Sequence, residues 1–256
     1  MSRRGVEGAV ALVTGANRGI GAAFVDALLA AGVLRVHAGA RDPDTLAGLL
    51  ERHGGRVVAH RLDVTRTADV AAVAAAAADT TVLVNNAGVF RNQRLFDTSD
   101  PEAAREEMEV NYFGVLAMCR AFSPILADNG GGAIVNVLSA AALANVPVMG
   151  GYSPSKAAAR SLTAALRAEL GHLGITAHAL IVGSVDTRMA AHVRGDKADP
   201  ADIARAGLAA IRHDLPEVDT DPMAVSVRAA IARDPREFER QMTAMLSSTT
   251  LHTGRG

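Results

Sequence analysis

The chain has no tryptophan, two tyrosines, six phenylalanines and a single cysteine, Cys119. One cysteine closes no disulfide and builds no cysteine-based metal site, so a disulfide scaffold and a zinc ribbon are excluded and a reducing, cytoplasmic setting is expected. With aromatics at 3% of 256 residues, the core must be filled by Ala, Val, Leu and Ile. Charge of neither sign dominates, since 26 Lys and Arg stand against 27 Asp and Glu. Nucleic-acid binding needs a clustered basic surface, and no run of like charge offers one, so no nucleic-acid partner is expected. No continuous run approaches the roughly 18 apolar residues that span a bilayer, so no membrane partner is expected. Two arginines ahead of the short apolar run at residues 9–13 imitate the start of a signal peptide, but the run leads into a glycine-rich turn and not a cleavage site. The eight histidines show neither HxxxH nor HExxH spacing and lack an acidic cluster, so no metal ligands are expected.

At 49% hydrophobic residues the chain can bury a sizeable core. Short β-rich runs alternate with longer helical patterns, which predicts one α/β domain over residues 1–256, a doubly wound, mostly parallel sheet of six to seven strands with helices on both faces. Strands are expected at residues 9–14, 35–39, 57–62, 82–84, 133–138 and 176–182. Helices are expected at 20–31, 67–78, 102–127 and 152–170, with Gly32 and the run at 129–132 as stop signals. Asp42-Pro43 reads as an N-cap followed by proline at the first helical position. After Gly183 the pattern weakens. Residues 186–200 read as a loop, the start of a substrate lid at 188–215. Residues 201–212, 223–233 and 235–246 read as helices, 217–220 as a poor edge strand, and 247–256 as a flexible tail.

The stretch Thr14-Gly15-Ala16-Asn17-Arg18-Gly19-Ile20-Gly21 lies between the first expected strand and the first expected helix, the context in which a glycine pattern binds a nucleotide. Gly15 permits the sharp turn, Gly19 removes a side chain where a pyrophosphate approaches the backbone, and Gly21 lets the helix pack close to the strand. The helix start offers free N–H groups and partial positive charge to the phosphates. Asn17, Arg18 and Ile20 belong to the same cofactor-binding turn. About 20 residues further on, such folds place the side chain that reads the adenine ribose. Ala40 occupies that place and Arg41 comes next. An acid there would accept from a ribose 2′-OH, whereas a guanidinium suits a 2′-phosphate, which it holds through two parallel hydrogen bonds. Arg18 can reach the same group. Asp42 could supply the acid instead, but it is better explained as the cap before Pro43. The pattern favours NADP(H) over NAD(H).

This turn and several motifs farther along the chain resemble the compact branch of the short-chain dehydrogenase/reductase family, over roughly residues 9–189. TGANRGIG matches that family's glycine spacing. Leu62-Asp63-Val64 looks like the strand end where the family contacts adenine, and Asn85-Asn86-Ala87-Gly88 like the segment that supports the sheet and lies against the cofactor. Asn111 falls in the long helix where the family places a catalytic Asn, Ser139 ends the fifth strand, and Tyr152 and Lys156 form YxxxK. The resemblance implies a Rossmann fold, a homo-oligomer (dimer or tetramer) and an enzyme that interconverts a carbonyl and its alcohol. In the family, Asn111 would hold a water that passes protons towards Lys156, and Lys156 would hold the nicotinamide ribose. Val185 and Thr187 would fix the nicotinamide amide. Relatives usually have Pro-Gly after the sixth strand, where this chain has Val182-Gly183, so the next loop loses a rigid turn.

Tyr152 and Lys156 stand four residues apart, on one face of a helix. A carbonyl needs a proton as hydride arrives, and an alcohol must lose one as hydride leaves. Tyrosine serves both directions if its pKa, near 10 when free, approaches working pH. Lowering it by about three units takes roughly 4 kcal/mol, which a neighbouring ammonium in a partly dry site can largely supply. The Ser139 hydroxyl would donate to the substrate oxygen. The pocket is expected to be framed by residues 89–95, 140–149 and the lid. The apolar middle segment suggests a fairly hydrophobic ketone, aldehyde or secondary alcohol, while Arg91 and Arg94 either face solvent or attract an anionic group. Two other readings share the fold, namely a nucleotide-sugar epimerase or dehydratase and a non-enzymatic NADP-binding regulator. Length and glycine spacing count against the first, and the intact catalytic positions against the second.

Overall fold

The computed structural model describes residues 5–147, 149–190 and 195–250, the last six of these by their backbone alone. Strand β1 (Val10–Thr14), helix α1 (Gly19–Ala30), strand β2 (Arg35–Ala40), helix α2 (Ala47–His53) and strand β3 (Val57–Arg61) make the first half-unit. Helix α3 (Thr67–Ala76), strand β4 (Val82–Asn85), helix α4 (Ala103–Met108), helix α5 (Val115–Asp128) and strand β5 (Gly132–Val137) come next. Helix α6 (Tyr152–Leu170), strand β6 (Ile175–Ile181), helix α7 (Pro200–His213), strand β7 (Glu217–Asp219), helix α8 (Pro222–Arg233) and helix α9 (Pro235–Thr250) complete the described chain. Seven strands, all parallel, form one sheet in the order β3-β2-β1-β4-β5-β6-β7. The order reverses between β1 and β4, so a crevice opens outside their carboxyl ends, where ligands bind in open α/β sheets.

Strands buried on both faces explain the runs of Val, Leu, Ile and Ala. On one face Val13, Val36 and Leu180 pack with Phe24, Leu28 and Ile203 from α1 and α7. On the other, Leu12, Leu83 and Ile134 pack with Met118, Phe122 and Leu126 from α5. Helix α7 lies so close to α1 that a Cβ on Gly207 would sit 2.5 Å from Phe24 Cζ. This overturns part of the expected lid at 188–215. Residues Pro200–His213 form a core helix that buries Ile203, Ala204, Gly207 and Ala210. Residues 191–194 of that stretch lie outside the described residues. The expected tail at 247–256 is also shortened, because α9 continues to Thr250; residues 251–256 lie outside the described residues.

The helix expected at 102–127 is interrupted. Residues Glu109–Gly114 form a π-helical turn between α4 and α5. Such wide turns concentrate at functional sites, and this one carries Asn111. The run Ala103–Asp128 has the length and mean hydropathy of a spanning helix, although its apolar residues are not continuous. Its apolar stripe of Val115, Met118, Cys119, Phe122 and Leu126 is buried in the core. The acidic edge strand β7 forms because arginines neutralise it. Arg160 Nε lies 2.6 Å from Glu217, and Arg228 lies 2.7 Å from Glu217 and 2.6 Å from Asp219.

Candidate active site

The glycine turn adjoins β1 directly. Gly15 and Gly19 have φ of 62° and 53°, the left-handed region that favours glycine. Arg18 is extended and stands at the N-cap of α1. A Cβ on Gly21 would collide with the Gly15 carbonyl, so its role is to admit the turn's own backbone. Thr14, not singled out from sequence, locks the turn to the segment after β4. Its buried hydroxyl accepts from Asn86 N and Ala87 N, both at 3.0 Å, while Asn86 Nδ2 donates to the Thr14 and Gly15 carbonyls, also at 3.0 Å. At the end of β2, Ala40 is buried and Arg41 and Arg18 are exposed. Asp42 Oδ1 accepts from Asp44 N at 3.1 Å and caps the turn begun by Pro43. Asp63 Oδ1 accepts from the Thr65 backbone and hydroxyl at 3.0 and 2.7 Å.

A cleft of about 1190 Å³ runs along the carboxyl ends of the strands. Its wall includes Gly15, Asn17, Arg18, Gly19, Ile20, Arg41, Asp63, Val64, Asn86, Ala87 and Gly88, together with Ser139, Tyr152, Lys156, Val185 and Thr187. Gly21 and Asn111 lie behind the wall. Asn111 is fully buried. Its Oδ1 accepts from Val89 N at 2.9 Å, and its Nδ2 donates to Val89 O at 2.9 Å and Ser155 Oγ at 3.0 Å. Ser155 Oγ in turn donates to Tyr152 O at 2.7 Å. The amide of Asn111 therefore ties the loop after β4 to the first turn of α6.

Tyr152 starts α6 and meets Phe90 edge-on, ring centroids 5.1 Å apart. Ser139 sits where β5 gives way to a short 3-10 turn, and its Oγ accepts from Ala141 N at 3.1 Å. The Ser139 hydroxyl also bonds the Tyr152 phenol, favouring the phenolate. Burial outweighs this bond and pushes the phenol up to about 12, with the charge of Glu107 acting in the same direction as burial. The Lys156 ammonium does not offset this rise. Lys156 Nζ donates to Val137 O at 3.0 Å and stands 5.7 Å from the Tyr152 ring centroid, so its charge is directed at a backbone carbonyl. Burial lowers the Lys156 ammonium to about 8.

Among the described residues of the segment at 140–149, none lines the cleft. Ala140, Ala141 and Ala142 are buried, Ala140 among Leu138 and Ala159, and Val148 lies outside the described residues. Apolar residues that line the cleft include Phe90, which meets the Tyr152 ring, Leu138 and Met189. Arg91 is paired with Glu106, and Arg94 lies 3.7 Å from Asp97, so both arginines have acidic neighbours. Glu107, one helical turn before Asn111, was missed from sequence. It is 1% exposed, its Oε1 accepts from Arg91 N at 2.7 Å, and burial raises its carboxyl above the usual range.

Comparison with known proteins agrees with this geometry. A family model described as short chain dehydrogenase matches residues 9–198. A crystal structure of a short chain dehydrogenase from Burkholderia cenocepacia in complex with NADP is 42% identical, with a TM-score of 0.88, covering 93% of this chain and 98% of that one. The 2-(R)-hydroxypropyl-CoM dehydrogenase of Xanthobacter autotrophicus is 35% identical over 190 residues, 70% of this chain and 76% of that protein. The 3-alpha-(or 20-beta)-hydroxysteroid dehydrogenase of Mycobacterium tuberculosis is 36% identical over 186 residues, 71% of each.

Proposed function

The chain belongs to the short-chain dehydrogenase family, and we propose that it is an NADP(H)-dependent enzyme interconverting a ketone or aldehyde and its alcohol, with Tyr152 as acid and base. The observation that carries this reading is the placement of the Tyr152 phenol, bonded to Ser139 and close to Lys156, on the same cleft as the glycine turn. The turn fits a dinucleotide. Gly15 and Gly19 take left-handed backbone that leaves the helix start bare, and Arg18 and Arg41 stand exposed at a strand end that carries Ala40 and no acid. When bound, NADPH supplies the hydride. Gly15, Gly19 and Ile20 would cradle its pyrophosphate, Arg18 and Arg41 its 2′-phosphate, and Lys156, Val185 and Thr187 its nicotinamide half.

Tyr152, raised to about 12, is fully protonated at neutral pH and therefore ready to donate to the oxygen of a carbonyl being reduced. Ser139 directs that oxygen to the phenol. Alcohol oxidation needs the phenolate, which the Ser139 bond favours and burial opposes. Phe90, Leu138 and Met189 make the substrate end apolar, so a fairly hydrophobic substrate is favoured. The test is NADPH oxidation with a panel of aromatic and aliphatic ketones and aldehydes. Turnover of at least one is expected; tight NADPH binding with no turnover of any would sink the reading.

The protonation of Lys156 sets a pH limit. With its pKa lowered to about 8, it is cationic below that pH and loses its charge above it. The kcat/KM for ketone reduction should hold level up to pH 8 and fall about tenfold per unit beyond, because kcat/KM reports groups of the free enzyme. Initial rates between pH 6 and 10 decide this, and a flat profile to pH 10 removes the charge of Lys156 from the mechanism.

A further inference from the structure

We propose that Asp221 is a positioning residue that holds the loop after β6 in the shape that binds the nicotinamide half of the cofactor. The inference rests on the reading of this cleft as an NADP(H) site. The loop opens with Val182-Gly183, where no proline fixes the backbone. Gly183 N instead donates to Asp221 Oδ2 at 2.6 Å, across 38 residues of chain. Asp221 is 7% exposed and fully used. Oδ2 also accepts from Thr220 Oγ1 at 3.1 Å, and Oδ1 accepts from Ala224 N at 3.1 Å, capping α8. A Cβ on Gly183 would collide with Asp221 Oδ1 and lie 2.7 Å from Met223 Cβ, so the glycine is required because the carboxylate presses directly against it.

The far side of the same loop is clasped by backbone bonds. Ala198 N donates to Ser184 O and Asp186 N donates to Ala198 O, both at 2.9 Å. Residues between these two clasps include Val185, and Thr187 comes immediately after; both line the cleft. Thr187 Cγ2 stands 3.0 Å from where a Cβ on Gly19 would lie. The loop therefore spans from the cap of α8 to the phosphate turn, and Asp221 anchors it at Gly183. A bond from an N–H to a buried carboxylate is among the stronger hydrogen bonds, and its loss frees backbone that must otherwise be ordered on binding.

The experiment compares the parent with Asp221→Ala and Asp221→Asn, the second retaining an oxygen for α8 should the first fail to fold. Two ligands are titrated, NADPH by its fluorescence and adenosine 2′,5′-bisphosphate by competition, the latter filling only the adenine half. The expected result is a rise in the Kd of NADPH of about tenfold, with that of adenosine 2′,5′-bisphosphate within twofold of the parent. KM for NADPH should rise more than kcat falls. Unchanged NADPH affinity in a folded Asp221→Ala overturns the proposal, and so does an equal loss for both ligands, which marks a purely structural role. Because binding is read without turnover, failure of the reductase reading shows separately, as a parent that binds NADPH and reduces no carbonyl.

Discussion

Replacing Tyr152 by Phe should lower the rate of carbonyl reduction by about a thousandfold or more, the scale set by a positioned general acid, while NADPH binds within twofold of the parent. The geometry makes this substitution unusually clean. The ring keeps its edge contact with Phe90, centroids 5.1 Å apart, and Ser139 keeps its bond to Ala141 N. Lys156 keeps its bond to Val137 O, which does not involve the phenol. Only the oxygen that donates is lost. Steady-state rates with the best ketone of the panel, beside a fluorescence titration of NADPH, measure both halves. Residual activity above about a tenth of the parent is far too much for the loss of a general acid and would remove Tyr152 from that role.

Replacing Arg41 by Asp should turn the cofactor preference towards NADH, by about a hundredfold in the ratio of kcat/KM values. Each hydrogen bond to a charged group contributes about 1.5–3 kcal/mol, and the new carboxylate both repels a 2′-phosphate and accepts from a 2′-hydroxyl. Ala40 beside it is buried at the end of β2, and Asp42 Oδ1 caps the next turn through Asp44 N, which leaves Arg41 as the exposed side chain directly after β2. Exposed charges are screened by salt, so the parent's KM for NADPH should rise with ionic strength more steeply than its KM for NADH. An unchanged preference in the variant would mean that Arg41 does not meet the 2′-phosphate.

Much of this arrangement is local, and what is local is legible in sequence. The glycine turn, the cap at Asp42 and the pairing of Tyr152 with Lys156 depend on neighbours within a few residues, and fold class comes from alternating periodicity. What could not be read depends on partners distant in the chain. Glu107 reveals itself through Arg91 N, Thr14 through Asn86 and Ala87, and Asp221 through Gly183. The apolar segment at 140–149 looked like a pocket wall because composition does not say which side of a sheet edge a segment covers; Ala140–Ala142 are buried in the core instead. Helix α7 comes after a polar, interrupted stretch that suggested a lid, but the bare surface of Gly207 against Phe24 makes it part of the core. The direction of the Tyr152 shift escaped for a related reason. Spacing places a lysine nearby but does not tell where its Nζ points, and here it points to Val137 O.

The π turn at Glu109–Gly114 works as a phase shifter. An α-helix advances about 100° per residue, and a wide turn of this kind behaves as one residue inserted into that rhythm. Upstream of it, the rod presents Glu107 to the backbone of Arg91; downstream, it presents Met118 and Phe122 to the sheet. A shorter, perfectly periodic rod would gear the two halves together, so that seating one would swing the other out of register by about that same angle. The surplus residue uncouples them. It lets a single segment act as a girder of the core at one end and as a jig for the loop after β4 at the other.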